Sequence, residues 1–487
     1  MVESEDHKKP PGFLVKLTWR KLLSVVVSIL LDMSQYIRRP ASANENGRKS
    51  RNKPWSLPFS GKESRQHHET AFQSDKERNV RSNGDNNVFS WLLLPDELWL
   101  CIFSLLTHKD ISQVSQVCHR FYQLAADESF WKEIKLVNCR CLNDNWLISL
   151  GSHHPQHFTL DHCHSENQRI TEVGLKQFFQ QCKGSLKELN IKNCSGPGLR
   201  GDTVLHASTF CNLLTTVDIS WTGATDSGLI GLVIAAKSLQ CFSANGCQIT
   251  DSAIGALVEK HGKSLRKLEI FGCHAVTAKC IRCVAMKCPN IMVLNIGRIH
   301  RVTEDCLAKV VNGMKKLTCL NVTGINVVKD CVVHFIAKKC LELECLVLNS
   351  CSHVTDISLM EISMYVPAIR YLDVSGCKEV TDVGVQALAG SCCKLSYIDL
   401  SSTATSKRGV CLLASFCFRT LECVKISFCK AITLNAVAKL CKNCKRLKIL
   451  HLYGCRFTPD LESIKKINKN VEVFHDLPVP AAKLSSK

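Results

Sequence analysis

The sequence lacks the short motifs that usually mark an enzyme. It has no glycine-rich phosphate loop, no nucleophile elbow and no paired-histidine helix signature. Its longest apolar run, Leu22–Leu23 followed by Val25–Leu31, is short for a bilayer span. The net charge of +19 is spread along the chain without basic residues interleaved with aromatic ones. These absences disfavour catalysis, a membrane-spanning segment and nucleic-acid binding.

Cysteine, by contrast, is abundant. The 487 residues contain 30 cysteines, which would indicate disulfides in a short secreted chain. This chain is long, and many of its cysteines recur at a fixed interval that a disulfide framework does not require. We therefore expect reduced thiols and a cytoplasmic or nuclear protein.

A repeat explains the interval. The segments Leu343–Cys351 and Ile369–Cys377 share the pattern apolar-x-x-apolar-x-apolar-x-x-Cys. The ninth position then recurs every 26 residues, after earlier and less regular copies. It falls on Cys139, Cys163, Cys194, Thr222, Cys247, Cys273, Ile299, Ile325, Cys351, Cys377, Thr403, Cys429 and Cys455. Thirteen units over residues 131–475 indicate a stacked repeat protein.

Each unit has the residues for one strand and one helix. Alternating apolar residues predict a short strand, and a small buried thiol suits the turn after it. Thr355–Asp356 and Thr381–Asp382 can cap a helix, whose inward face then carries Leu359 and Ile362. Strands and helices differ in width, so the stack should be a curved α/β solenoid with strands on its concave side.

These units resemble the cysteine-containing class of leucine-rich repeats, which form a horseshoe. Ile299, Ile325, Thr222 and Thr403 depart from cysteine but are small or apolar enough for the same turn. The long step from Cys163 to Cys194 predicts an insertion, which we place around Ser195–Gly201, where Gly and Pro cluster.

Two cysteine pairs and a histidine cluster were weighed as metal sites. The pairs Cys280/Cys283 and Cys441/Cys444 have zinc-like spacing but fall in helices six units apart, which favours structural thiols. The histidines around Cys163 could form a metal or pH-sensitive patch, although an exposed turn is the simpler interpretation. No metal and no cofactor is therefore predicted.

A compact helical module precedes the repeats, over residues 88–134. Leu94–Leu98 reads as a helix start, because proline suits the first turn and acids suit the positive helix end. Asp110 is expected to cap a second helix, and the module ends near Trp131. So short a segment cannot bury all of its apolar side chains internally. Some must face a partner or cover the first repeat.

The spacing of Leu94–Leu98, Ile102–Phe103, Val117–Phe121 and Trp131 resembles an F-box. That family implies docking onto a Skp-family adaptor, which joins a cullin scaffold with its RING subunit. The resemblance implies adaptor contacts at Leu94, Pro95, Leu98, Ile102, Phe103, Leu106, Val117 and Cys118.

A protein substrate should then sit on the concave strand face, at the third and fifth positions of each unit. The third positions form a mainly apolar row and the fifth positions a polar one, and tyrosines are favoured anchors in protein interfaces. The residues expected to face a substrate are Val293, Val347, Tyr371, Asp373, Tyr397, Asp399, Ile449 and His451. We expect the two aspartates to select a basic group, although an ordinary repeat surface or a site on the C-terminal loops is the alternative.

The N-terminal region, residues 1–87, should be mostly disordered. Residues 13–37 predict an amphipathic helix that either lies on a membrane or docks on protein. The basic linker that follows is too polar to fold, and its 48–53 cluster suits nuclear import or simple solvation. A short tail occupies residues 476–487.

The sequence thus predicts a non-catalytic substrate receptor of an SCF-type ubiquitin ligase. The alternative is a repeat scaffold in a non-degradative or membrane-tethered assembly.

Overall fold

The computed structural model describes residues 94–140, 142–165, 169–457 and 461–475. The chain divides into two compact units, Met1–Ile134 and Lys135–Lys487. The predictions for the N-terminal helix, the basic linker and the tail lie outside the described residues. Within the described ranges, no helix is both long enough and apolar enough to cross a membrane.

The described part of the first unit is all helical. Its helices are α1 (Asp96–Phe103), α2 (His108–Val114), α3 (His119–Ala125) and α4 (Glu128–Trp131). The Thr107 hydroxyl accepts the Asp110 amide at 3.3 Å and so caps α2, which the sequence had assigned to Asp110 itself. The indole N–H of Trp131 donates to the carbonyl of Ala125 at 2.8 Å. The one polar atom of this buried side chain therefore has a hydrogen-bond partner.

The second unit is a stack of parallel strands alternating with helices, as predicted. The strands are β1 (Glu133–Val137), β2 (His157–Asp161), β3 (Glu188–Lys192), β4 (Thr216–Asp218), β5 (Cys241–Ser243), β6 (Lys267–Glu269), β7 (Val293–Asn295), β8 (Cys319–Asn321), β9 (Cys345–Val347), β10 (Tyr371–Asp373), β11 (Tyr397–Asp399), β12 (Cys423–Lys425), β13 (Ile449–His451) and β14 (Glu472–Phe474). They form one sheet in chain order. Equivalent positions pair across it, as in Tyr371 opposite Tyr397. A row of equivalent side chains therefore runs across the sheet.

The helices of this unit are α5 (Asp144–Gly151), α6 (Glu172–Cys182), α7 (Gly201–Ala207), α8 (Asp226–Ala235), α9 (Asp251–His261), α10 (Ala278–Lys287), α11 (Glu304–Gly313), α12 (Asp330–Lys339), α13 (Asp356–Tyr365), α14 (Asp382–Ser391), α15 (Lys407–Phe416), α16 (Leu434–Asn443) and α17 (Leu461–Ile467). Short 3-10 turns occur at Pro197–Leu199 and Ser208–Phe210. The insertion predicted around Ser195–Gly201 was misplaced. Helix α6 begins nine residues after Cys163, whereas α13 begins only five residues after Cys351. The extra residues therefore lie between Cys163 and the start of α6.

The ninth position has the role expected of a buried thiol. Cys351 donates to the carbonyl of Val322 at 3.4 Å, and Cys377 donates to that of Leu348 at 3.3 Å. Each acceptor belongs to the preceding repeat, so the thiols link neighbouring units. At Thr403 the hydroxyl instead bonds Leu400 of its own unit at 2.7 Å.

The eighth position explains why the turn is tight. Its φ is positive in all thirteen units, between 50° and 80°. Glycine occupies it at Gly246, Gly272, Gly324, Gly376 and Gly454. Elsewhere the left-handed conformation is imposed on larger residues, including the exposed aromatic residues Trp221 and Phe428.

In several repeats, an aspartate at the start of the helix accepts hydrogen bonds from the next repeat. The Asp356 carboxylate accepts the Thr381 amide at 2.7 Å, the Thr381 hydroxyl at 2.6 Å and the Gly384 amide at 3.0 Å. The same bonds from amide and hydroxyl join Asp330 to Thr355. The Thr355 hydroxyl accepts the Ile357 amide at 3.2 Å, and the Thr381 hydroxyl accepts the Val383 amide at 3.1 Å. These bonds confirm the predicted caps, and the aspartates add bonds between repeats.

Candidate functional site

Six of the eight predicted adaptor contacts lie at the surface of the first unit. Leu98 is 44% exposed, Pro95 and Cys118 are exposed, and the rest are half-buried. The half-buried members are Leu94, Leu106 and Val117. These side chains stay available to a partner.

The other two predicted contacts, Ile102 and Phe103, are not available to a partner, and their assignment as adaptor contacts is corrected. Ile102 is 4% exposed and Phe103 is fully buried. The Phe103 ring packs against Phe121, with centroids 5.4 Å apart, and against Trp99 at 5.9 Å. Both residues therefore belong to the unit's own core, where they fix α1 against α3.

Sequence reasoning missed two surface residues on the same helix. Cys101 is exposed and Leu105, just after α1, is 54% exposed. Together with Leu98 they follow the i, i+3, i+7 spacing of one helix face. That spacing is present in the sequence, but the neighbouring stripe of Ile102 and Phe103, which the structure buries, is equally apolar.

An ion pair orients the start of this face. The Arg120 guanidinium donates to Asp96 at 2.8 Å and to the carbonyl of Leu94 at 2.6 Å. Because Arg120 lies on α3, these bonds hold the first turn of α1, and with it Leu94 and Pro95, in a defined position.

The eight residues predicted to face a substrate all lie on one face of the sheet. Strand burial alternates as expected, with the third and fifth positions half-buried around a buried fourth. Val293 and Val347 are half-buried on β7 and β9, and Ile449 on β13 is 36% exposed. Asp399 is more enclosed than expected, at 7% exposure.

Tyr371 and Tyr397 form the most ordered feature of this face. Their rings stack with centroids 3.8 Å apart and planes within 8°. Burial raises the pKa of Tyr371 to about 12 and also raises the pKa of Tyr397. Both phenols are therefore neutral, and the pair presents a rigid platform with hydroxyl groups.

The two aspartates lie beneath and beside this stack. Asp373 accepts the Ser375 amide at 2.9 Å and the Ser375 hydroxyl at 2.5 Å. Burial, together with the nearby Asp399 charge, raises the pKa of Asp373. The Nζ atom of Lys425 lies 4.0 Å from Oδ2 of Asp399 and 5.2 Å from the centroid of the Tyr397 ring. This lysine partly neutralises the acidic row.

His451 ends the row in a second aromatic group. Its ring lies 4.7 Å from Phe474 and 5.5 Å from Tyr453, measured between centroids. Burial, and then the Lys425 charge, lowers the pKa of His451. Phe474 was missed because it lies on the last strand, beyond the regular 26-residue series.

The other candidate sites lie apart from this face. Cys280 is buried and Cys283 is half-buried on α10, while Cys441 and Cys444 are buried on and after α16. In the histidine cluster, His162 bonds Asp161 at 2.7 Å and His164 bonds Ser195 at 2.6 Å. No group of three metal-ligating side chains occurs in the described part of the chain.

Comparison with known proteins assigns both parts of the chain. A family profile for F-box-like domains matches residues 91–137, and a leucine-rich-repeat profile matches residues 368–389.

Similar regions occur in two curated relatives. The chain is 25% identical over 189 residues to lysine-specific demethylase 2A of Xenopus tropicalis, covering 36% of this chain and 15% of that protein. It is 24% identical over 209 residues to F-box/LRR-repeat protein 21 of Ovis aries, covering 41% and 44% respectively. The chain thus spans less than half the length of these relatives.

A solved structure shares the fold. The crystal structure of the Rad7 and Elc1 complex in yeast superposes with a TM-score of 0.57 at 16% identity, covering 80% of this chain and 94% of that one. The chain therefore combines an F-box-like domain with cysteine-containing leucine-rich repeats.

Proposed function

We propose that this protein is the substrate-recognition subunit of an SCF-type ubiquitin ligase. The observation that carries the proposal is the exposed apolar face of the F-box-like unit. Leu98 on α1 and Leu105, two residues beyond its end, are each about half exposed, and Pro95 before the helix is exposed as well. A cluster of this kind on so small a unit favours coverage by a partner protein, and the F-box resemblance makes that partner a Skp-family adaptor.

The function requires no chemistry from this chain. The adaptor joins the F-box-like unit to the cullin, its RING subunit and the ubiquitin-charged enzyme. The repeats hold the substrate, so that its lysines meet the ubiquitin thioester at a raised effective concentration. The predicted role is therefore that of a non-catalytic receptor.

Copurification of the full chain tests the adaptor surface. The double substitution Leu98→Asp plus Leu105→Asp should remove both adaptor and cullin, and Leu94→Ala plus Pro95→Ala should weaken their capture. Ile234→Asp is the matched control, because Ile234 is a 69% exposed aliphatic residue on a helix of the other unit. If the wild-type chain captures neither adaptor nor cullin, the ligase assignment is wrong. Capture of the adaptor alone would point instead to a non-degradative assembly.

The substrate site is proposed at the strand face around the Tyr371–Tyr397 stack. A planar, half-buried pair of phenols beside carboxylates suits a basic side chain that lies flat on a ring. Tyr371→Ala plus Tyr397→Ala should reduce substrates recovered by proximity labelling with the proteasome blocked, while adaptor capture stays intact. A Lys267→Ala variant, altered on the same face at β6, controls for general damage to that face. If the double variant recovers the same substrates, the site does not lie at the tyrosine stack. The C-terminal loops are then the next candidate.

A cytoplasmic or nuclear location is part of the same proposal, because an adaptor and reduced thiols are available there. Membrane contact through residues 13–37 is a second element. Imaging a chain that lacks residues 1–37 tests it, and an unchanged distribution would reject the contact.

A further inference from the structure

The strand face carries one pair of neighbouring cysteines. Cys319 on β8 and Cys345 on β9 pair directly in the parallel register. Partners in adjacent strands bring their Cα atoms within the separation that a disulfide accepts. Both thiols are free and partly exposed. Such a pair can be bridged without moving either strand out of register.

This arrangement differs from that of the other strand-face cysteines. Cys241 is flanked in register by Thr216 and Lys267, and Cys423 by Tyr397 and Ile449. Most cysteines of the ninth position, such as Cys377, are buried, and burial raises the pKa of Cys377 to about 12. Cys377 also donates to a backbone carbonyl. A hydrogen bond from Cys194 lowers the pKa of Cys163 to about 6, but Cys163 is buried as well, whereas both thiols of the β8–β9 pair are partly exposed.

The two thiols are also unequal. A hydrogen bond from the Cys345 thiol lowers the pKa of Cys319, while that same interaction and burial raise the pKa of Cys345. Burial and the Glu269 charge oppose this lowering, and the Lys267 charge two strands away adds to it. An attacking thiolate next to a protonated resolving thiol is the arrangement that two-step disulfide formation needs.

We propose that Cys319 and Cys345 form a peroxide-oxidised dithiol site that reversibly cross-links the repeats of β8 and β9. The Cys319 thiolate attacks one peroxide oxygen, which leaves a sulfenic acid and releases the other oxygen as water after protonation. The Cys345 sulfur then attacks the sulfenic sulfur, and its proton leaves with the displaced hydroxide as a second water. Two electrons pass from the two thiols to the peroxide. A cellular thiol reverses the bond by exchange.

The site adjoins the proposed substrate row, because Cys345 pairs in register with Tyr371. The disulfide would replace two polarisable thiols by a bridge and tie two strands at the edge of the tyrosine platform. We expect substrate binding to change on oxidation, and this consequence rests on the proposed function.

Peptide mapping of the full chain tests the site. After treatment with hydrogen peroxide and blocking of the remaining thiols, the wild type should yield a reductant-sensitive peptide pair joined at Cys319 and Cys345. Cys319→Ser and Cys345→Ser should each abolish it, whereas Cys241→Ser and Cys423→Ser should leave it unchanged. Circular dichroism of each variant checks folding, since serine is close in size to cysteine. Independent oxidation of the two sulfurs, or cross-links to other cysteines, would overturn the proposal.

A second measurement separates the site from its consequence. Substrate capture by the oxidised wild type is compared with capture by Cys345→Ser under the same peroxide treatment. If the disulfide forms and capture is equal, the modification stands and its effect on recognition is wrong. If no disulfide forms, the dithiol site is rejected whatever the adaptor experiments show.

Discussion

The two units of this protein both expose apolar side chains. On the F-box-like unit, Leu98 on α1 and Leu105, two residues beyond its end, are each about half exposed. On the repeats, Ile234 is exposed singly, but Ile357, Met360 and Met364 are exposed at i, i+3 and i+7 of α13. Single exposed apolar residues are normal on protein surfaces, whereas a cluster marks a contact. Both units therefore carry a group of exposed apolar side chains, and the F-box-like profile over residues 91–137 is what links the first group to the proposed adaptor.

The units differ in how each residue is supported. The described part of the first unit has one aromatic core, built on Phe103 and its neighbours. In the repeats, the core is divided among thirteen similar units, and each unit packs mainly against the units beside it. One core substitution should therefore unfold the first unit, whereas in the second unit it should destabilise only the repeats around it.

The largest expected effect is that of Phe103→Ala. Removing a fully buried phenylalanine should cost about 3–5 kcal/mol, which is comparable to the whole stability of a small helical unit. Hydrogen exchange on the full chain should show loss of protection over residues 94–134 with the repeats intact. Leu98→Ala is the exposed control, expected within about 1 kcal/mol of the wild type. Loss of adaptor binding with full protection of the F-box-like unit would instead make Phe103 a contact and refute its assignment to the core.

A smaller, local effect is expected for Asp356→Ala in the repeats. The substitution removes acceptors from the Thr381 amide and hydroxyl and from the Gly384 amide, which should cost about 1–3 kcal/mol. Amide exchange should rise at the start of α14 and leave distant repeats unchanged. Glu304→Ala is the matched control, because the equivalent residue in another repeat makes only an exposed pair with Lys329. That pair should contribute less than about 1 kcal/mol, so equal effects would contradict the bridging role.

Most of the repeat fold was readable from sequence because one rule recurs. The positions of Leu346, Leu348 and Cys351 in one unit predict burial in the others, and the structure buries all of them except Cys139 and Cys455, which are half-buried. The asymmetry of the first unit offers no such cross-check. Ile102 and Leu98 look equally apolar in sequence, and only the packing of Phe121 and Trp99 decides which face is inside.

The strand face was predictable in position but not in electrostatics. Alternation placed Tyr371 and Asp373 on the correct side of the sheet, because strand side chains alternate between faces. The enclosure of Asp399 and its pairing with Lys425 depend on side-chain reach between adjacent strands, which a sequence period does not encode.

Gly272→Ala and Gly255→Ala should change stability in opposite directions. Gly272 has φ +70° and no neighbour closer than 4.0 Å to an added Cβ, so its alanine pays only for the left-handed backbone, about 1 kcal/mol. Gly255 lies within α9, and nothing is within 4 Å of its added Cβ. Its alanine should therefore stabilise the protein by about 0.4–1 kcal/mol through helix propensity and a less flexible unfolded chain. Denaturant midpoints of the two variants measure the difference, and equal signs would contradict the conformational role of the eighth position.

Asp373→Asn is expected to have the smallest effect on stability, and one that depends on pH. Burial raises the folded-state pKa of Asp373 above its usual 3.8, so folding favours the protonated carboxyl. Its contribution is fully favourable below pH 3.8 and is lost as the pH rises through the folded pKa. Asparagine keeps an acceptor for Ser375 but never ionises, so the variant should melt above the wild type at neutral pH and converge with it in acid. The exposed Asp305→Asn variant controls for the loss of a surface carboxylate.

A gain in stability at Asp373 that is accompanied by weaker substrate capture would have a definite meaning. The wild-type carboxylate would then be kept at a cost to folding because it contacts a basic group on the substrate, as function often requires of strained or buried charges. A gain in stability with unchanged capture would remove Asp373 from the recognition surface and leave the tyrosine stack to act without it. The strand face would then resemble the F-box-like unit, in which the proposed partner surface is mainly apolar.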